Sequence, residues 1–324
     1  MPLDGQPMSL IDTVALVRRA GARRPALCVH DAAPPPGLRE MAVRLGVTDI
    51  VVTGSARMPD ALNVQIAAAQ GIDGIVIADE AGFRAAMRGL EPLARRGAVI
   101  VPQEADWVVP AQLRQMSALD AAWHTTADAN YIARSALKGH YLEFGTFWGS
   151  SFFPAYFRSR GWLQGRYYAF DSFAGLSQPL ADEVKFTGGD FQAGSYCCNE
   201  QSFRAIADLV GVPPQRLAVV PGFYEESLTG EGRAAALGLA PQSVSVCVVD
   251  CDLKEPTETV LEFVLPLLEP GALIYFDDWR LCRASPHVGE RAAALEWMAR
   301  HPEIELVEFH RDLWQHQWFI FHRR

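Results

Sequence analysis

An apolar stretch that ends in an acid and then passes through two glycines constrains the fold of this chain most strongly. It reads Tyr-Leu-Glu-Phe-Gly-Thr-Phe-Trp-Gly-Ser-Ser over residues 141–151. Glycines at 145 and 149 have no Cβ, so backbone N–H groups can approach a ligand closely where a strand is followed by a helix. A dinucleotide fingerprint carries glycine where this stretch has Glu143, whose carboxylate would repel a pyrophosphate but attract an ammonium group. The stretch predicts a strand-to-helix turn, with glycines that serve either ligand approach or packing alone.

The length and composition predict a globular protein of one large or two modest domains. The chain has 324 residues, of which 49% are hydrophobic and 21% charged, as in ordinary soluble proteins. A net charge of −9 argues against nucleic acid or an anionic membrane as partner and favours a small molecule. We expect a cytoplasmic protein, because no apolar run has the length of a membrane span and the first residues lack a signal-peptide pattern.

Residues 1–112 alternate between strand-like and helix-like segments. Apolar, β-rich runs cover residues 26–30, 49–53, 74–78 and 98–102, and helical spacing lies between them. This alternation predicts a small parallel sheet with helices packed on it. We interpret polar residues at its strand ends, such as His30 and Thr53, as helix caps. The chain is therefore divided into an N-terminal auxiliary α/β domain, residues 1–112, and a second domain, residues 113–324.

Two further strands of the second domain end in residues suited to a nucleoside. The second strand ends at Asp171, 26 residues after Gly145, a spacing expected when this carboxylate accepts ribose hydroxyls. The third strand runs into Gly222, which permits a close turn. Either Phe223 or Tyr224 can then stack on a purine, or both aromatic rings simply seal the end of the sheet.

Four acids follow the fourth and fifth strands of the second domain. Asp250 and Asp252 follow one apolar strand, and Asp277 and Asp278 follow the next. Adjacent parallel strands lie about 4.8 Å apart, so these carboxylates would repel unless a cation or a shared proton relieved them. Oxygen ligands alone suit Mg²⁺. The simpler alternative is that one acid of each pair caps the next helix.

Taken together, these motifs resemble the macrocin O-methyltransferase family, whose members are Mg²⁺-dependent sugar O-methyltransferases of natural-product pathways. The resemblance covers roughly residues 115–324 and rests on segments 141–151, 168–173, 222–228, 250–253 and 277–279. It implies an α/β class I methyltransferase fold, a Rossmann-like seven-stranded sheet with a reversed last strand. Residues 304–309 and 317–321 would form the closing antiparallel hairpin.

The resemblance also implies roles for individual residues. Glu143 would hold the methionine ammonium of S-adenosylmethionine, and Asp171 its ribose. The complete set of implied donor contacts is Glu143, Gly145, Thr146, Gly149, Ser151, Asp171, Ser172, Gly222, Phe223 and Asp250. Asp250, Asp277 and Asp278 would ligate Mg²⁺, which would bind the substrate hydroxyl and lower its pKa. The catalytic candidates are Asp250, with Asp252, Lys254 and His287 as possible bases.

The acceptor expected from the resemblance is a hydroxyl of a sugar or polyol. Catechol-type relatives place a lysine three residues after their first metal acid, where this chain has Leu253, so a sugar or alcohol is favoured over a catechol. A homo-oligomer is a further possibility. Two alternatives stay open at this point: a metal-independent small-molecule methyltransferase, and a catalytically silent methyltransferase-like subunit that binds a protein partner.

Overall fold

The computed structural model describes residues 10–30, 38–47, 49–53, 62–78, 80–116, 127–311 and 315–324. The chain forms two compact units. The first contains the residues up to Gln115 together with Phe147–Pro154 and Tyr196–Val212, and the second contains Met116–Thr146, Ala155–Ser195 and Pro213–Arg324. The sequence predicted a single domain boundary near residue 112. Because two later segments belong to the first unit, one cut in the chain does not separate the two units, and that boundary stays a prediction.

The first unit is built on a five-stranded parallel sheet in the order β3-β2-β1-β4-β5. Its strands are β1 Pro25–His30, β2 Asp49–Thr53, β3 Leu62–Asn63, β4 Gly74–Ile77 and β5 Val99–Pro102. Its helices are α1 Leu10–Arg19, α2 Leu38–Arg44, α3 Val64–Ala69, α4 Phe83–Gly89, α5 Glu91–Ala94 and α6 Ala111–Gln115, with a 3₁₀ turn at Ala105–Trp107. Every residue of β4 and β5 is buried, as expected for parallel strands covered on both faces. The predicted parallel sheet is confirmed.

The second unit is built on a seven-stranded sheet in the order β11-β12-β10-β9-β6-β7-β8. Its strands are β6 His140–Phe144, β7 Tyr167–Asp171, β8 Leu217–Pro221, β9 Val244–Val249, β10 Leu268–Phe276, β11 Ile304–Arg311 and β12 Gln317–Arg323. Strand β12 runs antiparallel to both β10 and β11, while β6 to β10 pair in parallel. The predicted reversed last strand and closing hairpin are confirmed.

The remaining helices are α7 Ala127–Arg134, α8 Phe152–Ser159, α9 Ala181–Phe186, α10 Glu200–Val210, α11 Tyr224–Ser227, α12 Arg233–Ala236, α13 Lys254–Val264 and α14 Gly289–Arg300, with a 3₁₀ turn at Cys282–Ala284. Helix α10 shows how local sequence sets its ends. The Asn199 side chain accepts the N–H of Ser202 at the start, and Gly211 takes the left-handed conformation at the end, with φ 85°, as capping physics requires. Among the described residues, we find no helix with the length and apolar character to span a membrane.

Strand order decides where the polar residues of the second unit meet. Strand β9 is buried along its whole length, and it pairs with β6 on one side and β10 on the other. Because parallel strands end at the same edge of a sheet, the residues after β6, β7, β9 and β10 lie along one edge. Open α/β sheets bind ligands at this carboxyl edge.

Candidate active site

The turn after β6 is held against the two neighbouring strands. The N–H of Gly145 donates to the carbonyl of Phe170 at 2.9 Å, and the N–H of Asp250 donates to the carbonyl of Phe144 at 2.9 Å. Gly145 has φ 89°, and a Cβ at this position would overlap the carbonyl oxygen of Asp250. Glycine is therefore required here both for its conformation and for the close approach of β9.

Asp171 connects the turn after β6 to the turn after β7. Its Oδ2 accepts the N–H of Thr146 at 2.9 Å, and its Oδ1 accepts the N–H of Phe173 at 2.7 Å. Each carboxylate oxygen has a second lone-pair site, so the group can still accept hydroxyls. The neighbouring Thr146 Oγ1 is buried with no hydrogen-bond partner among the described residues, which is a group that a bound ligand would satisfy.

Glu143 is fully buried in β6. The hydroxyl of Tyr141, two residues earlier on the same strand, donates to its Oε2. Burial raises the pKa of Tyr141 well above its usual range, and the charge of Glu143 raises it further. The phenol therefore stays protonated and acts as a donor that fixes the carboxylate.

The turn after β8 separates the two aromatic candidates. Tyr224 is buried and its hydroxyl donates to the carbonyl of Phe170 at 3.3 Å, so it belongs to the core. Phe223 is half-buried and precedes helix α11, which leaves its ring as the purine-stacking candidate. Gly222, with φ 121°, donates its N–H to the carbonyl of Asp171 at 3.0 Å. Ser172 forms a local turn, accepting from Ala174 and donating to Gly175.

Two of the predicted donor contacts belong to the first unit. Gly149 has φ 87°, and a Cβ there would overlap the ring of Phe153, so this glycine is required by packing as well as conformation. Ser151 directly precedes helix α8 and is half-buried. A serine at a helix start is a common anion contact, as predicted for the methionine carboxylate.

Burial raises the pKa values of three of the acids that follow β9 and β10. Burial raises the pKa of Asp252, and the charge of Asp278 together with a hydrogen bond between the two carboxyl groups raises it further. Burial raises the pKa of Asp278 to about 7, although the hydrogen bond from Asp252 opposes the rise. Burial and then the neighbouring acids also raise the pKa of Asp250. These raised pKa values follow from burial of several carboxyl groups near one another, and relief by a cation or by a shared proton stays a prediction.

No protein-family profile matches the chain. A curated relative, the 8-demethyl-8-(2,3-dimethoxy-alpha-L-rhamnosyl)-tetracenomycin-C 4'-O-methyltransferase of Streptomyces olivaceus, is 27% identical over 168 residues. The match covers 48% of this chain and 59% of that relative, so the chain spans less than two thirds of the relative's length. Among solved structures, the calicheamicin methyltransferase CalS11 is 20% identical with a TM-score of 0.49, covering 74% of this chain and 92% of that one. The O-methyltransferase NovP is 17% identical with a TM-score of 0.47, covering 63% of this chain and 78% of that one.

The strand order of the second unit matches the predicted fold. Five parallel strands are ordered β8-β7-β6-β9-β10, and the reversed strand β12 lies between β10 and the edge strand β11. This order is the class I methyltransferase topology implied by the sequence motifs. The second unit has the class I methyltransferase fold. Its carboxyl edge carries Glu143 and Asp171 at the ends of the first two strands, as the resemblance implies.

The predicted metal ligands follow strands β9 and β10 of the second unit. Among the residues that the structure describes, no three His, Cys, Asp or Glu side chains are arranged to hold a metal ion. Asp277 Oδ1 accepts the hydroxyl of Tyr275 at 2.6 Å, and Asp278 Oδ1 accepts the Gln315 amide at 2.6 Å. Both acids thus accept a hydrogen bond from a neighbouring side chain, and a Mg²⁺ site at Asp250, Asp277 and Asp278 stays a prediction.

The base candidates of the second unit occupy different environments. Lys254 Nζ lies 2.7 Å from Glu296 and 3.6 Å from Glu258, and the hydrogen bond to Glu296 raises its pKa. A protonated, ion-paired lysine is unsuited to accept a proton, which argues against the predicted base role. His287 is exposed in the loop before α14. Asp252 stands with the other acids at the carboxyl edge, and because burial raises its pKa, its ionised form is the stronger base and it stays the base candidate.

His316 was missed by sequence reasoning. Its Nε2 lies 3.6 Å from Asp277 Oδ1, and its ring centroid lies 5.6 Å from that of Tyr275. Because β12 runs opposite to β10, the residues before β12 lie beside the residues after β10. A histidine directly before a predicted reversed strand is the signal that would have identified it.

Glu290 was also missed, although it is fully buried. Its Oε1 accepts the N–H groups of Cys251 and Asp252 at 2.8 and 3.2 Å, and its Oε2 accepts the N–H of Asp278 at 2.9 Å. This one carboxyl group therefore fixes the backbone after β9 and after β10. The sequence signal is an acid directly after a glycine that begins a helix, so that the acid lies in the first helical turn.

Proposed function

We propose that this protein is an S-adenosylmethionine-dependent O-methyltransferase that methylates a hydroxyl of a sugar or related small natural product. The strand order of the second unit and the acids at its carboxyl edge support the reaction type. The acceptor class is supported by the relative, whose name describes methylation of a rhamnosyl group on a tetracenomycin. Because the match covers 59% of that relative, the activity and the acceptor are both proposals for this chain.

One observation carries the proposal. The carboxylate of Asp171 is bonded to the backbone of Thr146 and Phe173, so the acid at the end of the second strand is fixed beside the first turn. A carboxylate held in this position is suited to accept the two ribose hydroxyls of the donor. The buried Thr146 Oγ1 next to it lacks a partner among the described residues and fits the same ligand.

The other donor contacts follow from the same edge of the sheet. Glu143 would pair with the methionine ammonium, since its carboxylate is buried and held by Tyr141. Phe223 would stack on the adenine, and Ser151 would bind the methionine carboxylate. Gly145, Gly149 and Gly222 would allow the backbone to approach the donor closely.

The transfer itself requires little from the protein beyond alignment and removal of one proton. A hydroxyl oxygen of the acceptor attacks the sulfonium methyl in line, the carbon–sulfur bond breaks, and S-adenosylhomocysteine leaves. The hydroxyl proton passes to a base, for which Asp252 is the candidate. Holding the two reactants in line supplies most of the acceleration in such a reaction.

Magnesium dependence remains a prediction from the resemblance. A bound Mg²⁺ would lower the pKa of the acceptor hydroxyl, and Asp250, Asp277 and Asp278 are the residues named for it. Dialysis against excess EDTA tests this prediction. Loss of turnover that added Mg²⁺ restores would support it, and unchanged turnover would favour the metal-independent alternative.

Two measurements test the proposed function. Calorimetry with S-adenosylhomocysteine should give a saturable heat of binding, whereas no heat would favour the alternative of a silent, partner-binding subunit. Incubation with S-adenosylmethionine and a panel of rhamnosides, nucleotide sugars and catechols should then yield a singly methylated sugar by mass spectrometry. Methylation of the catechols alone would contradict the proposed acceptor class.

A further inference from the structure

The first unit contains the segment that follows Thr146. Residues Phe147–Pro154, which include the predicted donor contacts Gly149 and Ser151, pack with the N-terminal sheet and its helices, and so do residues Tyr196–Val212. The contacts of the N-terminal residues with these two segments indicate a role for the N-terminal residues.

Aromatic contacts fix the glycine segment. The ring of Trp148 meets the ring of Phe83, on helix α4, edge to face with centroids 4.9 Å apart. Phe147 meets the ring of Tyr196 at 6.0 Å in a similar arrangement. Farther along, the fully buried ring of Phe153 stacks on Phe203 at 5.0 Å. Such pairs contribute beyond the area that they bury, so three points along the segment are fixed to the first unit.

Phe147 needs this support. Its φ of 48° lies in the left-handed region, as does the φ of 59° at Tyr196, and neither residue is glycine. A side chain in that conformation persists only when the surrounding structure holds it. The two strained residues contact each other through their rings, so whatever fixes Tyr196 also restrains Phe147.

Two charged residues of neighbouring helices fix Tyr196. The guanidinium of Arg88, on helix α4, lies 4.8 Å from the centre of the Tyr196 ring and donates to its hydroxyl at 3.3 Å. Glu91, on helix α5, accepts the backbone N–H of Tyr196 at 3.0 Å. Glu91 is fixed in turn by Arg95 at 3.1 Å. The ring and the backbone of one residue are thus held from two helices.

A second set of contacts fixes the chain that follows Tyr196. The Asn199 side chain donates to the carbonyls of Ala94 and Ala98 at 2.9 and 2.7 Å. Ser202 Oγ accepts the N–H of Ile100 at 2.8 Å, on strand β5. These buried hydrogen bonds join the start of helix α10 to the edge strand of the N-terminal sheet. Tyr196 therefore leads into a rigid element.

We propose that helices α4 and α5 hold the glycine segment in its donor-binding conformation, with Arg88 and Glu91 as positioning residues that act through Tyr196. The inference rests on the proposed function, because it assumes that this segment contacts the donor. Loss of these contacts lets the strained segment relax, so that it must be ordered again when the donor binds. Ordering a segment on binding weakens affinity.

Calorimetry with S-adenosylhomocysteine tests this role on the full-length protein. Arg88→Ala should raise the dissociation constant about 3- to 5-fold, the factor expected for one cation–π contact. Tyr196→Ala should raise it more, about 10-fold, because it removes the ring that both Arg88 and Phe147 contact. The double variant should be no weaker than Tyr196→Ala alone, because both changes remove the same contact.

Arg84→Ala is the matched control. Arg84 is exposed one turn earlier on the same helix, so its removal changes the charge equally and should leave affinity unchanged. Arg88→Lys keeps a cation and should retain most of the affinity. Hydrogen exchange should be faster over residues 147–151 in Arg88→Ala than in Arg84→Ala, with equal thermal midpoints.

The outcomes separate this inference from the proposed function. If the unaltered protein binds no S-adenosylhomocysteine, the proposed function fails. If it binds, but Arg88→Ala and Arg84→Ala match each other in affinity and in exchange, the positioning role is overturned. A double variant much weaker than Tyr196→Ala alone would show that Arg88 acts independently of Tyr196, which also contradicts the inference.

Discussion

Asp171 Oδ2 accepts the N–H of Thr146 at 2.9 Å, so the acid that ends strand β7 holds the turn that follows β6. The same side chain accepts the N–H of Phe173 through Oδ1. Both oxygens are therefore acceptors in the protein alone, before any donor molecule binds. A ligand that adds hydroxyl donors would find the carboxylate already oriented.

The first prediction concerns this carboxylate. Asp171→Asn replaces one acceptor oxygen by an NH₂ group, which would face a backbone N–H and lose the charge that favours ribose hydroxyls. We expect the dissociation constant of S-adenosylhomocysteine to rise at least about 10-fold. Calorimetry measures it, with Asp208→Asn, an exposed acid on helix α10, as the control. Equal affinities for the two variants would contradict the assigned role.

The second prediction concerns the close approach of strands β6 and β9. Gly145→Ala places a methyl group against the carbonyl oxygen of Asp250, whereas Gly211, with a similar φ of 85°, has open space around it. Gly211→Ala should lower the free energy of unfolding by about 1–2 kcal/mol from conformation alone. Gly145→Ala should lower the free energy of unfolding by about a further 2 kcal/mol or more, because the carbonyl group of Asp250 is part of the backbone and cannot move away from the added methyl group as a side chain could. Urea unfolding measures both, and equal losses would refute the crowding argument.

The third prediction concerns the buried carboxyl group of Glu290. Glu290→Gln turns one of its two acceptor oxygens into a donor that faces a backbone N–H of the β9 or β10 turn. The free energy of unfolding should fall by about 1–3 kcal/mol. Glu231→Gln, at an exposed position, should change it by less than about 0.5 kcal/mol. A Glu290→Gln variant as stable as its control would show that these hydrogen bonds contribute nothing.

The fourth prediction separates the two base candidates of the β9 edge. Lys254 is ion-paired and its pKa is raised by Glu296, so Lys254→Ala should keep turnover within about 3-fold of the original, because no base is lost. Asp252→Asn should reduce turnover about 100-fold or more, and asparagine suits the left-handed φ of 64° at this position. Steady-state kinetics of both variants, with the acceptor identified from the panel of rhamnosides, nucleotide sugars and catechols, measures the two turnover rates. A large loss for Lys254→Ala would return the base role to lysine.

The succession of strands and helices could be predicted because it depends on local patterns. The apolar runs that became β1, β2, β4 and β5 are visible in the sequence, and so are the seven strands of the second unit. Positions of Gly145, Asp171 and the four later acids could be predicted for the same reason. Each follows a recognisable strand, and parallel strands bring their ends to one edge.

The relations among these residues required the tertiary structure. The sequence drew attention to His287, but the reversal of β12 brings His316 to Asp277 instead. The acids after β9 and β10 predicted a metal site from the sequence, and the structure shows how deeply they are buried, which raises the pKa values of Asp252 and Asp278. Contacts between residues that lie dozens of positions apart do not produce a periodic pattern in the sequence, so they could not be predicted from it.

The amino-acid sequence by itself determined the order of the helices and strands and the residue types at each strand end, because both depend on residues that are neighbours in the sequence. Only the tertiary structure decided that Phe147 and Tyr196 belong to the same compact unit as the N-terminal helices. The physical reason is that such packing depends on the shapes of surfaces formed after the strands and helices exist, from residues such as Arg88 and Tyr196 that lie 108 positions apart.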